Sequence, residues 1–178
     1  MDKQRHILIT GNVGIGKSTL IQKLLSSFSG PVYGFITLKM AEAGADTWPF
    51  YMFPAALPAE KRIGSEENLL GIRGAVKEHH PEIFDSLGVR LIREAHPDGV
   101  ILMDELGFME SEAKDFQCAV LDALRGAIPV IASVKNKPGV GFLDAVFTSE
   151  NAVTYTVTRE NRDILPEQII SEHPALFR

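Results

Sequence analysis

Two stretches of this chain carry residues whose types and spacing can do chemistry. Residues 11–18 read GNVGIGKS, which fits G-x-x-x-x-G-K-[ST] at every fixed position. Residues 100–110 read VILMDELGFME, four apolar residues running into the adjacent acids Asp104 and Glu105, with a third acid, Glu110, close behind. Glycines spaced in this way let successive N–H groups turn into one concavity that binds phosphate oxygens. A helix starting directly after them adds its own N–H groups and the positive end of its dipole. Lys17 would reach the β- and γ-phosphates, Ser18 would offer its hydroxyl to magnesium, and Thr19 would bond the α-phosphate. The candidate nucleotide-binding residues are therefore Gly11, Asn12, Val13, Gly14, Ile15, Gly16, Lys17, Ser18 and Thr19.

Adjacent carboxylates at the end of an apolar run repel each other and lose hydration, so they call for a positive neighbour or for open solvent. In phosphate-loop proteins a second strand delivers an acid to the magnesium. Asp104 fits that part, through a bound water, which makes Ser18 and Asp104 the candidate metal residues. A glutamate next to it can orient an attacking water or take its proton. Lys17 and Glu105 are thus the candidate catalytic residues, and the pairing favours hydrolysis over transfer to a second substrate. The plainer alternative for Glu105 is a structural acid.

These residues need a scaffold that brings them to one edge. Residues 6–10 form a short apolar strand before the glycines, and Leu20, Ile21, Leu24, Leu25 and Phe28 recur at helical spacing after them. The run 100–103 does not alternate with polar residues, as suits a strand covered on both faces of a parallel sheet. Residues 129–134 (PVIASV) form another such strand, the candidate for insertion between the two motif strands, with Ser133 or Lys135 then near the γ-phosphate. An exposed loop lysine is the equal alternative for Lys135. Residues 32–40 and 48–53 suggest a hairpin, with Pro49 marking its second arm as an edge strand. Helices are expected over 81–95, 112–124 and 166–172, and a last strand over 153–157. Residues 54–80 have no readable pattern. Strands alternating with helices predict an α/β fold with a mostly parallel sheet.

The bulk properties agree. A chain of 178 residues fits one domain, 1–178, with a sizeable core. A net charge of −5 gives no broad footprint for nucleic acid. Cys118 is the single cysteine, which suits a reducing cytoplasm, and it is expected to be a buried or half-buried inert thiol. No apolar run has signal-peptide or membrane length. His79 and His80 lack partners at metal-ligand spacing and read as an exposed loop pair. Phe50, Tyr51 and Phe53 read as a hairpin packing on the core ahead of a base-stacking platform.

Taken together, GNVGIGKSTL, GFIT at 34–37, MDELGFME at 103–110 and TRENRD at 158–163 resemble the small nucleoside-triphosphatases of thermophiles and their human cancer-related relative. The resemblance implies a P-loop three-layer sandwich with an additional strand between the Walker A and Walker B strands, plus a β-hairpin. It also implies slow magnesium-dependent hydrolysis of ATP, GTP and other nucleoside triphosphates with loose base selectivity. Glu110 belongs to the shared pattern, either supporting the site or offsetting the dipole of the following helix. Arg162, after the last strand, would stack on the base or reach a phosphate, with a surface pair to Glu160 or Asp163 as the alternative. The chain departs from the family at AEAGADTWPF, which has no arginine, at GIRGAV, which lacks a tyrosine beside Arg73, and at VKNKPGVG. Two other functions fit the same scaffold. One is a nucleotide or small-molecule kinase with a lid carrying Arg62 and Arg73. The other is a slow nucleotide switch acting on a protein partner.

Overall fold

The computed structural model describes residues 5–40, 44–75 and 77–177. The first three residues of the turn expected between the hairpin arms, and Val76 of GIRGAV, lie outside these. One eight-stranded sheet runs through the molecule in the order β5-β4-β3-β2-β6-β7-β1-β8. Its strands are β1 (His6–Thr10), β2 (Val32–Lys39), β3 (Thr47–Pro54), β4 (Leu69–Gly74), β5 (Glu78–His79), β6 (Val100–Leu106), β7 (Val130–Val134) and β8 (Ala152–Thr156). β2, β6, β7, β1 and β8 are mutually parallel, and β3, β4 and β5 extend the sheet antiparallel. β7 does lie between the two motif strands, β1 and β6.

The unbroken apolar run of β6 is explained by cover on both faces. Ile101, Met103 and Leu106 enter one core cluster, while Val100 and Leu102 enter the other. Leu8 of β1 likewise faces the first, and Ile7 and Ile9 face the second. On the second face lie α1 (Lys17–Ser26) and α6 (Leu165–Glu172). On the first lie a helix in three pieces, then α4 (Lys114–Arg125) and α5 (Gly141–Phe147). The three pieces are α2 (Pro81–Ile83), a π-helical turn (Phe84–Gly88) and α3 (Val89–Arg93). Gly88 is required there by packing, since a Cβ on it would stand 2.7 Å from the Phe116 ring of α4.

Three expectations change. The described residues of 54–80 hold two 3₁₀ turns, Ala59–Lys61 and Glu66–Asn68, followed by β4 and β5. β3 is consequently an interior strand, paired with β2 and β4. Pro49 is tolerated because its carbonyl points to β2, accepting from Met40 N–H at 3.0 Å, so its missing N–H falls beyond the last β2–β3 pair, Lys39–Phe50. Cys118 is exposed, because α4 buries the stripe Phe116, Ala119, Val120 and Leu124 and turns residue 118 outward. Among the described residues no helix is long and apolar enough to cross a membrane.

Candidate active site

The loop after β1 is shaped by glycine. Gly11, Gly14 and Gly16 have φ of 146°, 74° and 114°, in the left-handed region that side chains rarely adopt. At Gly11 packing adds to the constraint, because a Cβ would lie 2.7 Å from the carbonyl of Val157, in the loop after β8. α1 then begins at Lys17 with Gly16 at its cap, no side-chain cap and no acid in its first turn. Such an end leaves backbone N–H groups for an anion. Lys17 is 8% exposed and its Nζ donates to the carbonyls of Gly11 at 3.0 Å and Asn12 at 3.2 Å. Ser18 and Thr19 are exposed beside it.

Register explains why Asp104 meets this loop. Ile36, Asp104, Ser133 and Ile9 are level across β2, β6, β7 and β1. Level residues of parallel strands point to one face, here the face covered by α1. Burial pushes the Asp104 carboxyl up to about 6, and the neighbouring Glu105 charge adds to the rise; the Ser18 hydroxyl, Lys17 and the Ser133 hydroxyl pull it down. Ser133 is 1% exposed, and its Oγ lacks a hydrogen bond of normal geometry. Thr37, which lines the cavity in front of the acids, also buries a hydroxyl without a partner.

Glu105 is held by two lysines. Lys135 Nζ lies 2.9 Å from Oε1 and Lys17 Nζ 3.8 Å from Oε2. The carboxylate lines a cavity of about 290 Å³ with Ser18, Gln22, Thr37, Arg62 and Asp104. On its other side a cavity of about 170 Å³ is lined by Thr37, Lys39, Phe108, Glu110 and Lys135. Thus of the two positions considered near the γ-phosphate, Ser133 and Lys135, both reach the acid pair.

Glu110 does not offset a helix dipole, since α4 begins at Lys114. It is 2% exposed and its Oε1 accepts a short hydrogen bond from Gly107 N–H, while its carbonyl accepts from Gln117 Nε2 at 2.7 Å. Burial raises its carboxyl, against the pull of the Gly107 N–H and Lys135. Glu110 therefore folds the segment that follows Glu105. Phe108, in that segment, is ringed by cations: Arg73 at 4.6 Å, Lys137 at 4.3 Å and Lys135 at 5.2 Å from the ring centre.

The loop after β8 is built by Asn161, whose Oδ1 accepts from Thr158 N–H at 2.8 Å and whose Nδ2 donates to Thr156 O at 2.9 Å. Arg162 beside it is exposed and forms no ion pair with Glu160 or Asp163 among the described residues. Sequence reasoning missed Thr37 and Arg62 as residues lining the acid-pair cavity. For Thr37 the available signal was its place in GFIT. There Gly34 has φ of 85°, and a Cβ on it would stand 2.1 Å from Leu102 O of β6, so the glycine sets how closely β2 approaches the acid strand.

A phosphate-binding loop, an uncapped helix and an acid pair on the next strand but one define a phosphate-loop nucleotide-binding protein. A family model described as NTPase matches residues 6–170. The chain is 32% identical to the nucleoside-triphosphatase THEP1 of Thermofilum pendens, over 97% of each chain. It is 31% identical to the cancer-related nucleoside-triphosphatase homolog of Bos taurus, over 94% of this chain and 95% of that one. Among solved structures, THEP1 from the hyperthermophile Aquifex aeolicus matches with a TM-score of 0.70 at 23% identity, covering 97% of this chain and 99% of that one. The human cancer-related nucleoside triphosphatase matches with 0.68 at 22% identity, over 96% and 98%. The chain belongs to this family of nucleoside-triphosphatases.

Proposed function

We propose that the protein hydrolyses nucleoside 5′-triphosphates to diphosphate and phosphate with magnesium. One observation carries the reading: the uncapped start of α1, with Lys17 folded over the loop, confronts the adjacent Asp104 and Glu105 at a separation of 3.8 Å between Lys17 Nζ and Glu105 Oε2. The N–H groups of residues 11–19 receive the phosphates. Lys17 exchanges its hold on the Gly11 and Asn12 carbonyls for β- and γ-phosphate oxygens. A divalent ion suits the donor set, because Asp104 is a half-buried carboxyl, raised by desolvation and then by the Glu105 charge, that faces the Ser18 hydroxyl. Ser18 and Asp104 would hold magnesium, which when bound neutralises phosphate charge.

Glu105 positions the attacking water and receives its proton, and Lys135, at 2.9 Å, fixes that carboxylate. Ser133, level with Asp104, directs its hydroxyl to the same end of the site. Arg162, exposed and unpaired, stacks on the base. Every other contact is to phosphate, which supports loose base selectivity. No nucleic acid or membrane enters this reading.

The test is phosphate release by the purified chain with magnesium and ATP, GTP, CTP, UTP and their deoxy forms. Slow release from several of them, lost in Lys17→Ala and Glu105→Gln, is expected. Release that survives Glu105→Gln, or phosphate recovered on an added nucleoside or nucleotide, would overturn the mechanism.

A further inference from the structure

The cavity in front of the acid pair has one cationic side chain. Ser18 and Gln22 enter it from α1, Thr37 from β2, Asp104 and Glu105 from β6, and Arg62 from the loop after β3. Arg62 is half-buried, and its Nε donates to Leu57 O at 2.9 Å. Among the described residues its terminal nitrogens have no hydrogen-bond partner and no carboxylate within ion-pair distance. Two carboxylates and an unpaired guanidinium thus line one space of about 290 Å³ without touching.

We propose that Arg62 contacts the terminal phosphoryl group of the bound nucleotide and supplies, from within the chain, the arginine of the hydrolysis reaction. The inference rests on the triphosphatase reading above. Charge builds on the phosphoryl oxygens as the γ-phosphate leaves, and an arginine aimed there is among the larger single contributions in phosphoryl transfer. A planar guanidinium with its Nε already bonded presents its two terminal nitrogens as a fork to phosphate oxygens.

The loop holds that fork in place beforehand. Ala55 N–H bonds Gly34 O at 2.9 Å where the loop leaves the sheet, and Arg62 N–H closes a turn on Ala59 O at 3.2 Å. Gly64 lies flat on Tyr51, whose ring a Cβ would approach to 2.7 Å. Ser65 and Asn68 then form a reciprocal capping box. Little ordering is left for the nucleotide to impose, which favours catalysis through orientation. Other cations near the acids have their own contacts: Lys17 holds the Gly11 and Asn12 carbonyls and lies 3.8 Å from Glu105, Lys135 pairs with Glu105 at 2.9 Å, and Arg73 lies between the rings of Phe50 and Phe108 at 5.1 and 4.6 Å.

The experiment compares the full-length protein with Arg62→Ala and Arg62→Lys. It follows magnesium-dependent phosphate release, binding of a non-hydrolysable ATP analogue, and trapping of ADP with aluminium fluoride, which mimics the transferring phosphoryl group. Arg62→Ala should lower kcat by about 1,000-fold, the lower end of what such arginines contribute, while analogue affinity changes less than about threefold. It should fail to trap ADP with aluminium fluoride, and added guanidinium ion should restore part of its rate. Specific activity of the wild type should not depend on protein concentration. A kcat for Arg62→Ala within threefold of wild type, or undiminished trapping, overturns the proposal. If Arg62→Ala folds poorly, Arg62→Lys decides, since wild-type trapping in that variant also overturns it. Normal wild-type hydrolysis beside such results removes only the arginine, whereas no wild-type hydrolysis removes the underlying reading with it.

Discussion

The sheet has two unequal parts. The parallel part, β2-β6-β7-β1-β8, is covered by helices on both faces and carries the phosphate loop, Asp104, Glu105 and Ser133 at one edge. The antiparallel wing, β3-β4-β5, carries arginines: Arg73 within β4 and Arg62 in the loop before it. In the parallel part, packing on both faces and strand register set the positions of the loop and the carboxylates. The wing borders a cavity and reaches over the acid strand, through Arg73 onto Phe108 and through Arg62 into the space before Glu105. On the proposed reading, one part would hold the nucleotide's phosphates and the other would bring charge to them.

The largest effect should separate the two parts outright. Lys17→Ala is expected to lower the rate of phosphate release by about a thousand-fold, because one preorganised cation acts where charge develops. Trp48→Ala, in the wing, is expected to leave the rate within about twofold. Trp48 is 38% exposed and, among the described residues, the one cation over its ring is the Lys39 ammonium at 4.8 Å. Steady-state kinetics of both variants check this; a large loss in Trp48→Ala would erase the division.

Within the parallel part, one buried and one half-buried group should make stability respond to pH in opposite senses. His6 is fully buried, accepts from Val130 N–H at 3.2 Å, and has its pKa lowered to about 4 by burial and by Arg5. The folded state then refuses a proton that the unfolded chain takes up below pH 6.5, so its contribution is present above 6.5 and lost as pH falls toward 4, up to about 3 kcal/mol. Asp104, raised to about 6, works the other way. Its contribution is full below 3.8 and lost as pH rises through 6, roughly 2 kcal/mol after allowance for solvent. The metal-free wild type should therefore vary little between pH 6.5 and 4. Asp104→Asn should be more stable than wild type at pH 8, lose that margin by pH 4, and lose magnesium-dependent activity throughout. Urea unfolding at three pH values measures this; parallel curves for the two proteins would refute the assignment.

Glu110 links the acid strand to α4, and its removal should cost less. Glu110→Ala leaves Gly107 N–H buried without an acceptor, worth about 1–3 kcal/mol, whereas Glu110→Gln keeps an acceptor and should lose less than half of that. Equal losses in thermal unfolding would mean that the charge, not the hydrogen bond, matters.

What was legible in the sequence follows the same division. β1, the glycine loop, α1 and β6 were readable because each is set locally, by a motif with its own strand and helix or by an apolar run covered on both faces. β7 as the inserted strand was readable for the same reason. β4 was hidden because LLGIRG has no clean alternation and two glycines, and its pairing is decided by β3. That pairing also turned Pro49 from an edge signal into the end of a ladder. α5 is seven residues, too short for a period to declare itself. The sequence marked the positions of Glu110, Thr37 and Arg62 without their surroundings, since burial and cavity lining are properties of the assembled sheet.

The smallest expected effect sharpens the comparison most, because it sits where the two parts meet. Arg73 of β4 lies between Phe50 of β3 and Phe108 of the segment after Glu105. Each ring contact by a partly buried guanidinium contributes about 1 kcal/mol. One Arg73 nitrogen, Nη2, is buried without an acceptor, and losing that group offsets part of the cost of removal. Arg73→Ala should therefore destabilise by only about 1 kcal/mol. Phe108→Ala should cost about the same, since Phe108 is half-buried and retains Lys135 and Lys137 as neighbours. A double-mutant cycle should return a coupling of about 0.5–1 kcal/mol between them. Removing Arg73 should also leave kcat within about threefold, because its guanidinium faces rings rather than the cavity that Arg62 enters. A coupling near zero would detach the wing from the acid strand. A collapse of kcat would instead move the catalytic arginine from Arg62 to Arg73.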